Sequence, residues 1–374
     1  MYLHDLQLIN FKNYQETSFQ FSDKINCFVG NNGAGKTNLL DAIHYMSFTR
    51  SYFNAVDNNT IRHSEPFFAL HGHYFKNSDG SLDKVSCVVK RNQRKQFYLN
   101  TEEYTRLSDH IGLFPVVMVS PYDRDLINLG SEVRRKYLDT IISQFDPVYL
   151  KNLIFYNKAL FQRNTLLKST DSQPIDYSLF DVWNRQLAEY GEAIYEQRRL
   201  FITNFSPVFA RYFETISGSG EEVEIVYKSQ LSVDNTFIAL QGNLQKDILL
   251  KHTTFGIHRD DLLFNINGYP AKVFGSQGQQ KSFIVAIKLA QFEYTRNIKG
   301  FKPLLLFDDI FDKLDDNRVR QIVDLVSQKN FGQVFITDTQ PERIFSLIGK
   351  LENNGRVWEI ASGYPKLLLP KSQA

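Results

Sequence analysis

The spacing of hydrophobic residues changes twice along the chain, from a strand-like pattern to a helical one and back. Between residues 3 and 99, hydrophobic and polar positions largely alternate, which predicts half-buried β-strands. Within this part, Ile25–Val29 is continuously apolar and predicts a buried strand. From residue 135 to residue 213, hydrophobic positions recur every three or four residues and predict helices. Strand-like runs return at residues 223–227 and 303–307.

Capping and breaking residues refine the helical part. Asp146 precedes Pro147, an order typical of an N-cap followed by the first helical position. Pro207 predicts a kink or a break in the later helix. The apolar seam is too short and too interrupted for a coiled-coil arm, so the pattern favours a compact helical lobe.

The composition predicts a soluble globular protein. A chain of 374 residues suggests two domains, or one large domain with an insertion. Hydrophobic residues make up 43% and charged residues 22%, which is enough apolar material for a large core. Because the net charge is only +2, a nucleic-acid-binding surface would have to be a local patch.

Cysteine usage and the first residues indicate the compartment. Cys27 and Cys87 lie in apolar runs without paired spacing, so we expect reduced core thiols and no zinc site. The first residues lack the charged and apolar regions of a secretory signal. No stretch approaches the length of apolar residues that a membrane span needs. We therefore expect a cytoplasmic protein without a membrane segment.

A glycine-rich segment follows the predicted strand Ile25–Val29 and leads into a predicted helix. It fits the pattern G-x-x-x-x-G-K-[ST], whose backbone N–H groups and helix N-terminus favour phosphate oxygens. Lys36 is expected to reach the β- and γ-phosphates, and Thr37 to offer its hydroxyl to Mg²⁺. The predicted nucleoside triphosphate site comprises Gly30, Asn31, Asn32, Gly33, Ala34, Gly35, Lys36, Thr37 and Asn38.

Two acidic residues, Asp308 and Asp309, end the apolar run 303–307. Ligands bind at the carboxyl ends of parallel strands, so Asp308 is predicted to hold Mg²⁺ directly or through a water. Asp309, one residue further on, is predicted to polarise the attacking water.

A second candidate anion site lies at the start of a predicted amphipathic helix. Ser276 can cap this helix, and Gly278 lets backbone N–H groups approach a γ-phosphate. One nucleotide hardly needs two such helix ends in one chain. We therefore expect this segment to complete the nucleotide site of a second copy, in a head-to-tail dimer. Its residues are Ser276, Gln277, Gly278, Gln279 and Gln280.

These features, in this order, resemble the ATPase heads shared by ABC transporters and structural-maintenance-of-chromosomes proteins, and in detail the RecF family of bacterial DNA repair and replication proteins. The likeness spans most of the chain. The segments that carry it are Leu8-Ile9-Asn10-Phe11-Lys12-Asn13-Tyr14, residues 30–43, Ser120-Pro121 with Asp123, residues 134–139, Gln162-Arg163-Asn164 with Leu166-Leu167, His258-Arg259-Asp260-Asp261-Leu262, residues 276–280, Asp308-Asp309 and, at the place of a dimer-contacting D-loop, Asp312-Lys313-Leu314-Asp315.

The resemblance implies an α/β fold: a P-loop ABC-type ATPase head with a mixed sheet, plus an inserted helical lobe. Residues 1–120 and 250–374 would form the nucleotide-binding lobe and residues 121–249 the mainly helical one. It also implies ATP and Mg²⁺ as cofactors and an ATP-dependent homodimer on double-stranded, gapped or junction DNA. Cooperation with RecR and RecO in loading RecA recombinase, during the SOS response, is implied as well.

Two departures from the transporter pattern bear on turnover. Thr337-Asp338 stands where transporters place a switch histidine, and Asp309 is shorter than the usual glutamate. Both departures predict slow ATP hydrolysis, which the resemblance implies is stimulated by DNA. No obvious glutamine forms a Q-loop, and residues 120–123 occupy its place.

Three alternative functions fit this sequence less well. An ABC transporter subunit needs a membrane partner and usually keeps the switch histidine. A chromosome-organising head with long arms needs more helical sequence than this chain has. A metabolic P-loop kinase leaves residues 276–280 without a role.

Two basic runs are candidates for contact with DNA. Arg134, Arg135 and Lys136 begin a predicted helix, where positive charge opposes the helix dipole and so needs an explanation. The alternative for this run is a solvated helix face. The run 90–95 could also contact a phosphate backbone, although a solvated hairpin tip is the favoured interpretation.

Overall fold

The computed structural model describes residues 1–76, 80–169, 177–218, 220–232, 235–310, 316–327, 331–349 and 355–368. The chain forms two compact units. The first comprises residues 1–123, 215–218 and 281–374, and the second comprises residues 124–214 and 219–280.

Both units contain strands and helices. The strands are β1 (Tyr2–Phe11), β2 (Tyr14–Gln20), β3 (Ile25–Val29), β4 (Phe67–Phe75), β5 (Leu82–Lys90), β6 (Gln96–Leu99), β7 (Glu102–Glu103), β8 (Val116–Val119), β9 (Val223–Lys228), β10 (Asp261–Ile266), β11 (Tyr269–Pro270), β12 (Leu304–Asp308), β13 (Val334–Asp338), β14 (Gly355–Ala361) and β15 (Tyr364–Leu368). The helices are α1 (Lys36–Phe48), α2 (Asp125–Asn128), α3 (Ser131–Ser143), α4 (Pro147–Ser169), α5 (Tyr177–Ser217), α6 (Thr236–Gly242), α7 (Leu244–Leu250), α8 (Ala271–Phe274), α9 (Gln277–Lys299), α10 (Asp316–Ser327) and α11 (Pro341–Gly349).

The first unit contains two six-stranded sheets. One is antiparallel with the order β2-β1-β4-β5-β6-β7, and it accounts for most of the alternation seen between residues 3 and 99. Leu3, Leu6 and Leu8 of β1 are fully buried while their neighbours are partly exposed. Such a one-sided pattern is what an antiparallel sheet with one solvated face requires.

The other sheet is mixed, with the order β15-β14-β3-β13-β12-β8. Strands β8, β12, β13, β3 and β14 run parallel and β15 is an antiparallel edge. Every residue of β3, β8, β12 and β13 is buried, which explains their continuous apolar runs. Because these strands are parallel, the carboxyl ends of β3, β12 and β13 meet at one edge of the sheet.

The second unit combines helices with the three-stranded sheet β11-β10-β9. Two arginines cross its interior: the Arg163 guanidinium lies 2.7 Å from Asp247, and that of Arg198 lies 2.9 Å from Asp260. All four side chains are buried. Removing one partner of a buried pair leaves an uncompensated charge, so these residues are structural.

The second unit ends at residue 280, whereas the predicted helical lobe ended at residue 249. The reason is strand pairing: β10 runs antiparallel to β9 over its whole length, from Asp261 opposite Lys228 to Ile266 opposite Val223. This pairing ties residues 261–266 to a strand of the second unit, and no spacing pattern in the sequence reports it.

Helix α5 continues through Pro207 to Ser217, so of the kink or break predicted there, the break does not occur. Phe205 and Phe209, on either side of the proline, are buried. Their packing holds both halves in one helix and offsets the missing backbone hydrogen bond. No helix in the described part of the chain has the length and hydropathy that a membrane span needs.

Candidate nucleotide-binding site

The glycine-rich loop joins the end of β3 to the start of α1. Gly30, Gly33 and Gly35 have φ values of 147°, 78° and 117°, in the region that favours glycine. A Cβ on Gly30 would lie 2.3 Å from the carbonyl oxygen of Ile360, and one on Gly35 would lie 2.4 Å from Nδ2 of Asn13. Two of the three glycines are therefore required by space as well as by backbone conformation.

The Lys36 side chain folds back over this loop. Its Nζ donates hydrogen bonds to the carbonyl oxygens of Gly30, at 2.8 Å, and Asn31, at 3.1 Å. Lys36 is only 4% exposed. Its ammonium is thus held within the loop by two main-chain oxygens, beside the backbone N–H groups that a phosphate would contact.

Residues near both ends of the chain form hydrogen bonds with the glycine-rich loop and the start of α1. Asn13 Nδ2 donates to the carbonyl oxygen of Ala34 at 2.9 Å, and Asn13 Oδ1 accepts from Asn38 Nδ2 at 2.7 Å. The Tyr14 hydroxyl donates to the carbonyl oxygen of Gly35 at 3.0 Å, and the Gly363 N–H donates to that of Ala34 at 2.9 Å. Asn13 and Tyr14 occur in the first segment of the family likeness, but no role was predicted for them.

Thr37 and Asp308 meet at the carboxyl edge of the mixed sheet. The Thr37 hydroxyl donates to Asp308 Oδ1 at 2.8 Å, and the Thr337 hydroxyl, from β13, donates to the same oxygen at 2.9 Å. Asp308 is 3% exposed. Burial raises the pKa of its carboxyl to about 6, against the opposing effect of the two hydroxyls. A buried carboxylate whose charge is disfavoured by desolvation is suited to a cation.

Asp309 follows directly with a φ of 45°, an uncommon backbone conformation for a residue with a side chain. Its N–H donates to Thr337 Oγ1 at 3.0 Å, so Thr337 connects both acidic residues. Thr337 was noted in the sequence only as a replacement for a histidine. Its neighbour Asp338 is paired with Arg343 at 3.1 Å.

Ser276 and Gln279 form a reciprocal cap at the start of α9. The Gln279 N–H donates to Ser276 Oγ at 3.2 Å, and the Ser276 N–H donates to Gln279 Oε1 at 2.7 Å. This arrangement is a capping box. Gln279 Nε2 also donates to Glu221. Ser276 and Gln277 are exposed. The segment 276–280 belongs to the second unit and the glycine-rich loop to the first.

The structure assigns different environments to the three proposed DNA contacts. Arg134 makes a bidentate pair with Asp261, at 2.7 and 3.0 Å, and its Nη1 donates to two carbonyl oxygens, of Leu126 and Leu129. Its side chain is 12% exposed. The positive charge at the start of α3 is thus explained by structure, which argues against Arg134 as a DNA contact.

The next two residues differ from each other. Arg135 donates to the carbonyl oxygen of Asp260 at 2.7 Å, and burial lowers its pKa. Lys136 pairs with Glu132 at 2.8 Å, and both side chains are largely exposed. Of the three, Lys136 retains the exposure that a phosphate contact needs.

The remaining candidate segments fall in three places. The run 90–95 forms the turn between β5 and β6, where Arg91 and Arg94 donate to the carbonyl oxygens of Glu65 and Thr105. Asp123, at the place of the Q-loop, accepts a hydrogen bond from Tyr52 and pairs with the buried Lys288 at 2.7 Å. The predicted D-loop, Asp312-Lys313-Leu314-Asp315, lies outside the described residues.

Comparison with known proteins gives consistent matches over the whole chain. The family model of the RecF/RecN/SMC N-terminal domain matches residues 2–351. The chain is 46% identical over 361 residues to the DNA replication and repair protein RecF of Flavobacterium johnsoniae, covering 96% of this chain and 100% of that protein. It is 45% identical over 363 residues to that of Bacteroides fragilis, covering 97% of each.

Solved structures agree with the sequence matches. A structure described as the recombination mediator protein RecF-ATP in the RecFOR pathway superimposes with a TM-score of 0.89, at 30% identity and over 98% of both chains. An Smc head domain from Pyrococcus furiosus superimposes with a TM-score of 0.56 at 18% identity, over 98% of this chain and 96% of that one, which concerns the fold alone. The predicted fold class, an ATPase head with a mixed sheet and a helical insertion, is confirmed. The matches do not favour the transporter alternative, and the chain belongs to the RecF family.

Proposed function

We propose that this chain is an ATP-dependent DNA-binding protein of replication and recombinational repair. The observation that carries the proposal is the contact between Thr37, at the end of the glycine-rich loop, and Asp308, at the end of β12. It brings the hydroxyl and the carboxylate of a nucleotide–metal site to one edge of the sheet. The RecF relatives extend this site to DNA replication and repair.

The residues present fit ATP and Mg²⁺. A Cβ on Gly33 would meet nothing within 4 Å, so one side of the loop is open for phosphate oxygens. Magnesium in nucleotide sites uses one or two carboxylates together with substrate phosphates. Accordingly, among the described residues no cluster of three or more His, Cys, Asp or Glu side chains is placed to hold a metal by itself. Thr37 and Asp308 would hold the ion, which neutralises phosphate charge when bound.

Each side chain then has a distinct task. The loop residues, from Gly30 to Asn38, orient the phosphates through backbone N–H groups and the N-terminus of α1. Lys36 exchanges its bonds to the carbonyl oxygens of Gly30 and Asn31 for bonds to phosphate oxygens. Asp309 accepts a hydrogen bond from the attacking water and so orients the water oxygen for attack. Because an aspartate reaches less far than a glutamate, turnover is slow.

Dimerisation uses the start of α9. Ser276 and Gln277 are exposed, and the capping box leaves the helix N-terminus facing solvent, where its partial positive charge favours a phosphate. We propose that residues 276–279 contact the nucleotide held by a second copy, so that two ATP molecules close a head-to-tail homodimer on DNA.

The proposed biological setting follows from the family. The dimer acts in the cytoplasm on double-stranded DNA, on gapped DNA or at single-strand junctions, with RecR and RecO, and helps to load RecA recombinase in the SOS response. Contacts to the phosphate backbone are largely independent of sequence and sensitive to salt. ATP hydrolysis acts as a switch that releases the dimer.

The decisive experiment measures dimerisation and ATP hydrolysis together. Sedimentation with ATP and Mg²⁺ is compared with ATPase rates in the presence of duplex, gapped and single-stranded DNA. We expect ATP-dependent dimers and a rate that DNA raises. A monomer with ATP, or a rate that DNA leaves unchanged, would contradict the proposal.

Two variants separate binding from assembly. Lys36→Arg should weaken ATP-driven dimerisation without unfolding the monomer, because the larger, planar guanidinium distorts the contacts to the phosphates. Ser276→Arg should keep ATP binding by the monomer but block dimerisation and turnover, because it acts in the partner's site. Lys366→Arg and Thr101→Arg, at exposed positions, are the matched controls. Loss of ATP binding in monomeric Ser276→Arg would refute the assignment in trans.

A further inference from the structure

Strand β9 is an open edge of the three-stranded sheet in the second unit. In the order β11-β10-β9, it pairs with β10 and with no other strand of the described chain. The opposite edge, β11, is only two residues long and contains Pro270, and both features discourage further pairing. Strand β9 has six residues, from Val223 to Lys228, and no proline. It therefore lacks the features that protect the other edge.

The backbone groups of β9 divide between the two sides of the strand. Just before β9, the carbonyl oxygen of Glu222 accepts a hydrogen bond from the N–H of Asn267 at 2.8 Å. Because antiparallel neighbours alternate between hydrogen-bonded and non-hydrogen-bonded pairs, residues 224, 226 and 228 bond to β10. The N–H and C=O groups of Ile225 and Tyr227 point to the open side, where no described residue bonds to them.

A cleft of about 510 Å³ lies along this open side. It is lined by residues 224–229 and, from α5, by Tyr195, Arg199, Ile202 and Thr203. The rings of Tyr195 and Tyr227 lie 5.9 Å apart, so the side chains of Ile225 and Tyr227 point to the side of α5 and those of Glu224 and Lys228 to the other side. The cleft leaves the edge accessible to a further strand, which would lie about 4.8 Å from β9.

The open edge offers hydrogen-bond donors and acceptors in equal number. The N–H groups of Ile225 and Tyr227 donate and their carbonyl oxygens accept. A nucleic-acid phosphate only accepts hydrogen bonds, so the carbonyl oxygens of the edge would repel it. Another β-strand satisfies both kinds of group. The edge therefore fits an extended polypeptide.

The two charged residues of β9 are not neutralised within the described chain. Both side chains are exposed. Glu224 accepts one hydrogen bond, from the neutral Asn265 at 3.1 Å. Lys228 lies opposite Asp261, whose two carboxylate oxygens accept from Arg134, and it forms no ion pair with a described residue.

The sequence of β9 is complementary to a second copy of itself. In an antiparallel pair centred on Val226, Glu224 of each copy lies opposite Lys228 of the other, and Ile225 lies opposite Tyr227. This register puts residues 225 and 227, whose backbone groups point outward, into the hydrogen-bonded pairs. Cross-strand pairs of opposite charge, and of an aromatic with a β-branched residue, both stabilise a sheet. Charge complementarity thus favours a second copy as the occupant.

We propose that two copies of this chain pair through the open edges of β9, about a two-fold axis at Val226, and so join their three-stranded sheets into one. The contact uses neither the glycine-rich loop nor residues 276–279. It is therefore separate from the ATP-driven dimer and does not depend on the proposed function. One pair of strands buries less than the roughly 1,000 Å² of a stable interface, so the contact is weak in dilute solution and forms where copies are concentrated.

Disulfide trapping of the full chain, without nucleotide, tests the pairing and its register together. The native Cys27 and Cys87 are buried, so an added thiol is the reactive one. Val226→Cys brings two thiols face to face, since the Cα atoms of a non-hydrogen-bonded pair lie about 4.5 Å apart. We expect a covalent dimer under mild oxidation.

Val223→Cys is the matched control, since it makes the same change on the same strand at a similarly half-buried position. In the proposed register it lies opposite Ser229 of the second copy, so its two thiols are about 20 Å apart. It should cross-link at least about tenfold more slowly than Val226→Cys, because a disulfide requires Cα atoms closer than about 7 Å.

Charge exchange distinguishes a specific contact from random collision. On the Val226→Cys background, Glu224→Lys and Lys228→Glu should each slow cross-linking by about tenfold, since like charges then lie opposite each other at two places. A one-to-one mixture of these two variants should recover the original rate, because opposite charges face each other again, and intact mass identifies the mixed dimer. Equal rates for Val226→Cys and Val223→Cys, no effect of either charge reversal, or no recovery in the mixture would each overturn the proposal.

Discussion

At the scale of single residues, Asp308 is a carboxylate whose negative charge is disfavoured by its buried position. The carboxyl accepts hydrogen bonds from Thr37 and Thr337 and yet its pKa rises to about 6, because burial outweighs both hydroxyls. Near neutral pH the ionised form is therefore maintained at a cost in stability. A bound cation would offset that cost, which links the stability of the first unit to occupation of the site.

Asp308→Asn should stabilise the nucleotide-free chain in a pH-dependent way. The pKa in the folded chain is raised from 3.8 to about 6. The stabilising contribution of the protonated group is therefore complete below about pH 4 and lost as the pH rises through about 6. An amide imitates the protonated form, so the variant should gain up to about 3 kcal/mol at about pH 8 and roughly half of that at about pH 5.

Urea unfolding at the two pH values measures this gain. Asp309→Asn, which removes the same charge one residue further on, is the control and should show a smaller gain. Asp308→Asn should also lose the additional stabilisation that Mg²⁺ and ATP give to the unaltered chain. A variant that is less stable than the unaltered chain at both pH values would contradict the argument.

A second prediction concerns Asn13, which supports the glycine-rich loop with two side-chain hydrogen bonds. Asn13→Asp keeps the size of the side chain but loses the amide donor to the carbonyl oxygen of Ala34. It also places negative charge behind a site for phosphate. We expect ATP affinity to fall by about tenfold, the effect of one lost hydrogen bond, with a smaller change in global stability.

Isothermal titration with ATP and Mg²⁺ measures the Asn13 effect. Asn54→Asp, which introduces the same charge at a partly exposed position of the first unit, is the control. Unchanged ATP affinity in Asn13→Asp would show that the loop keeps its shape without this support.

At the scale of elements, the sequence patterns predicted most strands and helices but not which strands pair. The continuous apolar runs at β3 and β12 follow from burial on both faces, and the helical period of α5 is visible in its sequence, where Leu187, Ile194 and Phe201 are buried. The pairing of β9 with β10 is not, because a strand's own pattern reports its burial and not its neighbour. For the same reason, the predicted helical lobe ends at residue 249, whereas the second unit extends to residue 280.

The residues of the candidate site divide in the same way: some belong to local sequence motifs, and others come from strands that are distant in the sequence. Lys36, Thr37 and Asp308 belong to short motifs whose spacing carries their chemistry. Asn13 and Thr337 support the site from other strands, and Thr337 carries no motif of its own. The charge of Arg134 is visible in the sequence, whereas the carboxylate of Asp261 that pairs with it is more than a hundred residues away, so the pair itself was not predicted.

Helix α3 supplies the third prediction, on the difference between a structural and an exposed cation. Arg134→Ala removes a bidentate pair and two contacts to carbonyl oxygens, so we expect a loss of about 2 kcal/mol or more in unfolding free energy. Lys136→Ala removes only an exposed pair with Glu132 and should change stability by less than about 0.5 kcal/mol.

DNA binding distinguishes the two residues further. If Lys136 contacts phosphate, Lys136→Glu should lower DNA affinity and reduce the slope of its salt dependence by about one. Charge reversal at Lys158, which is exposed on α4, is the control. Identical salt slopes for all three proteins would exclude Lys136 from the DNA contact.

At the scale of the whole molecule, the chain consists of two units with separate interiors. The first is built on two sheets and carries the nucleotide site. The second is held by buried arginine–carboxylate pairs, such as Arg163 with Asp247. Because ligands stabilise the part of a protein that binds them, the two units should respond differently to ATP.

Calorimetry tests this fourth prediction. We expect two thermal transitions, of which ATP with Mg²⁺ raises one and leaves the other in place. At about a hundredfold excess over the dissociation constant, the gain is about 2.7 kcal/mol. Lys36→Arg should reduce the shift. A single transition that moves as a whole would show that the two units unfold together.

The position of β3 has a consequence for biosynthesis. This strand, at residues 25–29, lies between β13 and β14, which are formed by residues 334–338 and 355–361. The glycine-rich loop that follows β3 is further held by the N–H of Gly363. During translation the loop emerges early from the ribosome, yet its neighbouring strands are made about three hundred residues later. Such long-range pairing delays folding, so a nascent or prematurely terminated chain has no finished glycine-rich loop and its candidate nucleotide site forms only when synthesis is nearly complete.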